Sequence, residues 1–314
     1  MAAAWSVSDM PDLTGTVALV TGGNAGLGLS TVHQLMARGA HVVVSSRNVE
    51  RGQGAVDSLG AQRGSAEVLP LDLADLSSVA EFAKQVNVRH TRLDLLINNA
   101  GIMMVPEGTT QDGFELQIGT NHFGHFALTG HLMDLIRKTP GARVVSVSSL
   151  AHTGGKITVD NAGSVHEVAS KYSTTKAYGN SKLANLLFAY ELQRRFATHD
   201  VDAMSIAAHP GVSSTGLGEH LIKEWLRPFV RPVFELITQP PDAGALPTLR
   251  AATDPNAWGG QFFGPSNFGQ SRGAPVVVAS NDASYDAATA PNFWDVSQDL
   301  TGVSYLSLDQ VRPS

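Results

Sequence analysis

The feature that most constrains this chain is a glycine-rich turn set between two hydrophobic patterns. Residues 16–21 form an apolar, β-branched-rich run. It ends on Thr21-Gly22-Gly23-Asn24-Ala25-Gly26-Leu27-Gly28, and a helix-period segment opens at Leu27. A strand-to-helix turn of this kind brings backbone N–H groups to a helix N-terminus, where a dinucleotide pyrophosphate can sit. Gly22 allows the tight turn, Gly26 a close approach of backbone to phosphate, and Gly28 close packing of helix on strand. The spacing is Gly-x-x-x-Gly-x-Gly, and it lacks the Lys-Ser/Thr pair of a P-loop.

The alternation continues along the chain. Apolar runs occur at 41–45, 66–71, 93–97, 143–147, 201–207 and, weakly, 261–263. Helix-period segments lie at 27–38, 49–59, 76–88, 113–138, 176–196 and 242–252. Continuous apolar runs suit strands buried on both faces, and strands alternating with helices imply right-handed crossovers. The pattern predicts an α/β fold over 1–314: one Rossmann domain with a doubly wound, mostly parallel sheet and helices on both faces. No internal repeat, low-complexity tract or splitting linker interrupts it.

Composition narrows the function. Lys and Arg number 22 against 28 Asp and Glu, a net charge of −6, with no basic cluster, so nucleic acid is not an expected partner. The chain has no Cys, which removes disulfides, thiolate catalysis and Cys-type zinc sites. No His-rich metal-ligand spacing is visible, and no bound metal is expected. Residues 1–15 are Ala-rich and then polar, unlike a signal peptide, and no run of 18 apolar residues suggests a spanning helix. A cytoplasmic protein is expected.

Tyr178 and Lys182 stand four residues apart in a helix-period segment, downstream of Ser149. One helical turn apart, they face the same way and can work as an acid–base pair. Tyr172 and Lys176 form a second pair of the same spacing. Tyr172 lies in a polar Ser/Thr stretch that reads as the approach to the helix, whereas Leu183, Leu186, Leu187, Tyr190 and Leu192 carry the apolar period after the later pair. The later pair is therefore the candidate. His125 and His131 read as packing or surface residues, His209 as a strand-end residue, and Ser148 as structural. His152 could line a pocket.

From about Trp5 to Thr301 the chain resembles the short-chain dehydrogenase/reductase family, and within it the retinol-dehydrogenase-like group and its actinobacterial relatives. The turn Thr21-Gly22-x-x-x-Gly26-x-Gly28 is similar to the family's cofactor turn, with Asn24, Ala25 and Leu27 inside it. Asp72-Leu73 resembles the adenine-contacting pair, and Asn98-Asn99-Ala100-Gly101 the motif that ends the fourth strand. Asn121, Ser149, Tyr178 and Lys182 match the family's catalytic tetrad. Pro210, Gly211, Val212 and Thr215 match the turn on the nicotinamide side. The resemblance implies a seven-stranded sheet in the order 3-2-1-4-5-6-7 and a possible homodimer or homotetramer. It also implies that Lys182 binds nicotinamide-ribose hydroxyls and that Asn121 holds a water linking Lys182 to solvent.

The chemistry follows from the residues. Reduction of a carbonyl needs a hydride on carbon and a proton on oxygen. A free Tyr, with a pKa near 10, exchanges its proton poorly at neutral pH. A neighbouring ammonium favours the phenolate, so Lys182 is expected to lower the pKa of Tyr178. Ser149 can hold the substrate oxygen by a hydrogen bond.

Cofactor choice turns on the end of the second run, Ser45-Ser46-Arg47-Asn48. An acidic residue there would bind the free ribose hydroxyl of NAD, whereas Ser46 and Arg47 suit the 2′-phosphate of NADP(H). NADP(H) is the expected cofactor, with NAD(H) also possible. Residues 1–14 read as an N-terminal extension and 150–177 as an insertion. Residues 216–240, dense in Leu, Phe, Val, Ile and Trp, read as a substrate lid, as core or as a peripheral membrane contact. The expected function is hydride transfer between nicotinamide and a carbonyl or alcohol on a lipophilic small molecule. A redox sensor without turnover and an epimerase or dehydratase are the alternatives.

Overall fold

The structure, a computed structural model, describes residues 4–158, 172–212 and 239–305. The strands are β1 (Val17–Val20), β2 (His41–Ser46), β3 (Ser65–Pro70), β4 (Leu95–Asn98), β5 (Ala142–Val147), β6 (Ala203–Ala208), β7 (Phe262–Asn267) and β8 (Arg272–Val277). They form one sheet in the order β3-β2-β1-β4-β5-β6-β7-β8. The first seven run parallel, and β8 pairs antiparallel with β7.

The expected seven-stranded sheet is thus one strand short. Gly273 and Pro275 hide β8 from a strand pattern. Pro275 faces Pro265 in the register, at the outer edge of the sheet, where a residue without an N–H leaves no ladder incomplete.

The helices are α1 (Gly26–Ala37), α2 (Val49–Asp57), α3 (Leu76–Arg89), α4 (Leu116–Ile118), α5 (Gly124–His131), α6 (Met133–Lys138), α7 (Thr174–Thr198), α8 (Pro241–Thr253) and α9 (Thr289–Thr301). Alternate strand residues face opposite sides. Leu19, Val43, Leu96 and Val144 pack against Phe82 of α3, Phe126 of α5, Phe188 of α7 and Trp294 of α9. Val20, Val44, Ile97 and Val145 pack against Val32 and Leu35 of α1 and Leu249 of α8. Each such buried aliphatic or aromatic side chain contributes about 1.5–3 kcal/mol, so both faces are firmly held.

The single helix expected over 113–138 is broken. Gly113 sits at φ +88°, outside the helical region. The Glu115 carboxylate caps the N–H groups of Gln117 and Ile118, at 3.0 and 2.9 Å, so the helix starts there. A π-turn, Gly119–Phe123, then separates α4 from α5 and carries Asn121 at its centre. The expected insertion is described at 150–158 and 172–177. Thr215 and almost all of the expected lid lie outside the described residues.

Candidate active site

The C-terminal ends of β1, β4, β5 and β6 bring the motifs to one edge of the sheet. Thr21 follows β1 and is fully buried. Its hydroxyl accepts the N–H groups of Asn99 and Ala100, each at 2.9 Å, and the Asn99 side chain donates to the Thr21 carbonyl at 2.8 Å. Thr21 therefore holds the turn together, with no side-chain surface left for a cofactor. Gly22 has φ +62°. A Cβ on Gly28 would lie 2.3 Å from the Gly22 carbonyl oxygen and 2.7 Å from Asn99 Nδ2, so only glycine fits.

This turn fits a pyrophosphate. Ala25 occupies the N-cap of α1 without a side-chain cap, and the first turn carries no acidic residue. Ala25 and Gly26 are exposed, with Asn24 and Leu27 half-buried beside them. Such a helix start offers its free N–H groups to an anion.

At the end of β2, Ser46 is buried and donates to the Asn48 carbonyl at 2.8 Å. Asn48 caps α2, accepting the Arg51 N–H at 2.8 Å. Arg47 is exposed. Asp72 accepts the Ala74 N–H at 2.9 Å, and the Leu73 side chain is part of the core.

The four tetrad candidates come together by pairs: Asn121 and Lys182 at Gly101, Lys182 beside the Tyr178 ring, and Ser149 beside the Tyr178 phenol. A Cβ on Gly101 would lie 3.0 Å from Asn121 Oδ1 and 3.3 Å from Lys182 Nζ. The Asn121 amide accepts the Ile102 N–H at 2.8 Å, and it donates to the Ile102 carbonyl and to Ser181 Oγ, each at 2.9 Å. Ser149 caps a short 3-10 turn through Ala151, and its hydroxyl lies close enough to the Tyr178 phenol to draw the phenol pKa down. Lys182 Nζ donates to the Val147 carbonyl at 3.1 Å and lies 5.7 Å from the centre of the Tyr178 ring.

The charge balance differs from the expectation. Burial pushes the Tyr178 phenol above its ordinary pKa, and the nearby Ser149 hydroxyl opposes that shift only in part. Burial also lowers Lys182 to about 8. Lys182 gives its ammonium a hydrogen-bond partner in the Val147 carbonyl, and its own desolvation disfavours its charge. The expected lowering of Tyr178 by Lys182 is therefore not met by the protein alone.

The earlier pair is built differently. Tyr172 precedes the helix, whose N-cap is Ser173, and Lys176 is exposed. The Tyr172 hydroxyl donates to Glu115 at 2.8 Å and accepts from Gln117 at 2.9 Å, and burial pushes it up to about 12. It latches the segment before α7 to the start of α4.

Three histidines, read from sequence as packing, pocket-lining or strand-end residues, bind the site's backbone. His125 Nδ1 donates to the Asn121 carbonyl at 3.0 Å, which makes Nε2 the acceptor for the Thr21 hydroxyl at 2.8 Å. His152 Nδ1 donates to the Ser149 carbonyl at 2.7 Å, and its Nε2 accepts the Asn281 N–H at 3.2 Å. His209 Nδ1 accepts the Gly211 N–H at 3.2 Å, and its Nε2 meets Gln270 Oε1 at 3.0 Å. Burial lowers His125 and His209 to about 4 and also lowers His152. Each partner lies far off in sequence or on the main chain, so only a weak signal, His in an apolar context, was available.

The Pro-Gly turn is clamped from the far end of the chain. Gln239 donates to the Pro210 carbonyl at 2.7 Å, and the Val212 N–H donates to the Ser271 carbonyl at 2.9 Å, between β7 and β8.

Sheet order, glycine turn and Tyr-Lys helix together define a Rossmann-type oxidoreductase that binds a nicotinamide dinucleotide. The chain belongs to the short-chain dehydrogenase family, whose description is "short chain dehydrogenase" and whose match covers residues 16–224. It is 35% identical to human retinol dehydrogenase 13 over 298 residues, covering 93% of this chain and 86% of that one. It is 34% identical to the polyprenol dehydrogenase of Danio rerio over 303 residues, covering 94% and 89%. A crystal structure of a protein from Mycobacterium paratuberculosis superposes with a TM-score of 0.80 at 38% identity, covering 96% of this chain and 99% of that one. The protein is accordingly an alcohol/carbonyl oxidoreductase. Among the described residues no helix is long and apolar enough to cross a membrane.

Proposed function

We propose that this protein is a cytoplasmic, NADP(H)-dependent oxidoreductase that interconverts a carbonyl group and a primary or secondary alcohol on a lipophilic small molecule. The observation that carries the reading is that Asn121 meets Lys182 at Gly101, Lys182 lies beside the Tyr178 ring and Ser149 beside its phenol, in a chain whose first helix has an uncapped N-terminus.

The nicotinamide supplies the hydride in one direction and accepts it in the other. The protein supplies the rest. The uncapped start of α1 holds the pyrophosphate, and Asp72 and the segment 99–101 flank the adenosine side. Arg47, exposed beyond β2 where no carboxylate stands, binds the 2′-phosphate. Ser149 orients the substrate oxygen by a hydrogen bond. As the carbonyl carbon gains the hydride, the Tyr178 phenol gives its proton to the oxygen. Burial keeps that phenol in the acid form until the proton is needed. Lys182, held near Gly101, would bind the nicotinamide-ribose hydroxyls, and the Asn121 amide fixes the Ile102 backbone.

The substrate class rests on two supports. The relatives are named for retinol and polyprenol, both long apolar alcohols. Residues 216–240, which we read as the lid, are dense in large apolar side chains. The test is NADPH and NADH oxidation with a panel of apolar and small polar aldehydes and ketones. Preference for NADPH with the apolar members supports the reading. Turnover confined to small polar carbonyls, or to NADH, refutes it.

A further inference from the structure

At the opposite end of the sheet, three side chains from three elements converge. His41 opens β2, Glu67 lies in the edge strand β3, and His90 caps the C-terminus of α3. His41 Nε2 lies 3.4 Å from Glu67 Oε1, and His90 Nε2 lies 2.7 Å from the same oxygen. The three donor atoms all fall within 4.8 Å of one another.

We propose that His41, Glu67 and His90 form a binding site for a divalent transition-metal ion of the zinc class. Two imidazoles and one carboxylate select zinc, copper, nickel or cobalt over magnesium or calcium, which prefer all-oxygen sites. Tetrahedral bonds of about 2.0–2.2 Å put donor atoms roughly 3.3–3.5 Å apart, and the His41–Glu67 pair already has that spacing. The His90–Glu67 contact is a hydrogen bond, and it opens to the same spacing once the metal replaces its proton.

The site is preorganised. In the β2–β3 register His41 pairs with Ser65, so Glu67, two residues on, shares its face. The far nitrogen of His41, Nδ1, lies 2.8 Å from Ser65 Oγ. That is the outer partner which orients a metal-binding imidazole. The side chains are 33%, 24% and 11% exposed, so an ion can enter and a water can complete its coordination. Arg89, half exposed, holds the other carboxylate oxygen, Oε2, at 3.0 Å. It leaves Oε1 to the metal but opposes a cation by its charge, which sets a moderate affinity. A bound ion would staple the edge strand to β2 and to the end of α3.

The experiment is calorimetric titration of ZnCl2 into the tag-free, EDTA-treated and desalted protein. Cobalt absorption spectra serve as a second readout. One equivalent of Zn2+ should bind in the micromolar range, with a rise in melting temperature that Mg2+ does not give. His41→Ala and His90→Ala should each weaken binding by at least about tenfold, and His131→Ala should not. Arg89→Gln should tighten it, because a competing charge is gone. The Arg89 variant keeps all three donors, so it tests the site even where a histidine variant folds poorly. No saturable binding by the unaltered protein, or binding that survives both histidine substitutions, overturns the proposal. So does an Arg89 variant that binds no tighter.

Discussion

The Thr21 hydroxyl lies 2.8 Å from Nε2 of His125, a residue 104 positions further along the chain. The same ring donates through Nδ1 to the Asn121 carbonyl. One neutral imidazole thus ties the glycine turn to the π-turn that carries Asn121. Thr21 already accepts two backbone N–H groups, so a protonated ring would set a donor against an oxygen with little left to give.

His125→Ala should therefore cut kcat/KM by about tenfold to a hundredfold, the loss of buried hydrogen bonds at about 1–3 kcal/mol. His125→Gln, which can keep an acceptor for Thr21, should recover part of it. Steady-state kinetics with NADPH, alongside melting curves, make the comparison. Equal activity in all three proteins would remove His125 from any role in positioning the site.

Tyr178→Phe should abolish turnover and leave NADPH binding intact, since it removes the proposed proton donor and little else. Tyr172→Phe should keep most of the turnover but lose about 1–3 kcal/mol of stability, because Glu115 and Gln117 lose a buried partner. Cofactor titration by fluorescence and urea unfolding separate the two effects. An inactive Tyr172 variant beside an active Tyr178 variant would reverse the assignment.

Stability should depend on acid in a defined window. His125 and His209 are lowered to about 4 and His122 to about 3 by burial, against about 6.5 in the unfolded chain. Between those values the unfolded state binds more protons, so stability falls as pH drops from about 6.5 toward 4 and is unaffected above. Each histidine contributes up to about 1.4 kcal/mol per pH unit. Urea unfolding at pH 7.5, 6 and 5 measures the slope, and the same stability at pH 7 and pH 5 would contradict it.

Replacing Ser46 with Asp and Arg47 with Leu should shift preference from NADPH toward NADH, read as the ratio of the two kcat/KM values. Ser46 donates to the Asn48 carbonyl, so most of the shift should come from Arg47 alone. Arg47→Leu with unchanged preference would show that the cation beyond β2 plays no part in recognising the cofactor.

The parallel strands and the order of motifs were legible because each depends on local pattern: apolar runs, glycine spacing, a Tyr and Lys one turn apart. β8 was not, because Gly273 and Pro275 are tolerated only by an edge that the sequence does not mark. The break at Asn121 was hidden because 113–138 keeps a helical period through the π-turn. Spacing placed Tyr178 and Lys182 on one face, yet could not reveal that both are buried, which reversed the expected shift of the phenol. His41, Glu67 and His90 are separated by 26 and 23 positions, and only the strand register and the end of α3 bring them together.

The clasp between His152 and Asn281 bears on how the enzyme comes into being on the ribosome. The carbonyl of Ser149 is steadied by an imidazole whose other nitrogen waits for an amide 129 residues downstream. Val212 likewise waits for Ser271. A nascent chain emerges from its N-terminus onward, and contacts of such sequence separation form late. A chain halted before residue 271 would carry Ser149, Tyr178 and Lys182 without the bonds from Val212 to Ser271 and from His152 to Asn281. The hydrogen bonds that finish this edge of the sheet therefore close only once the last part of the chain has been made.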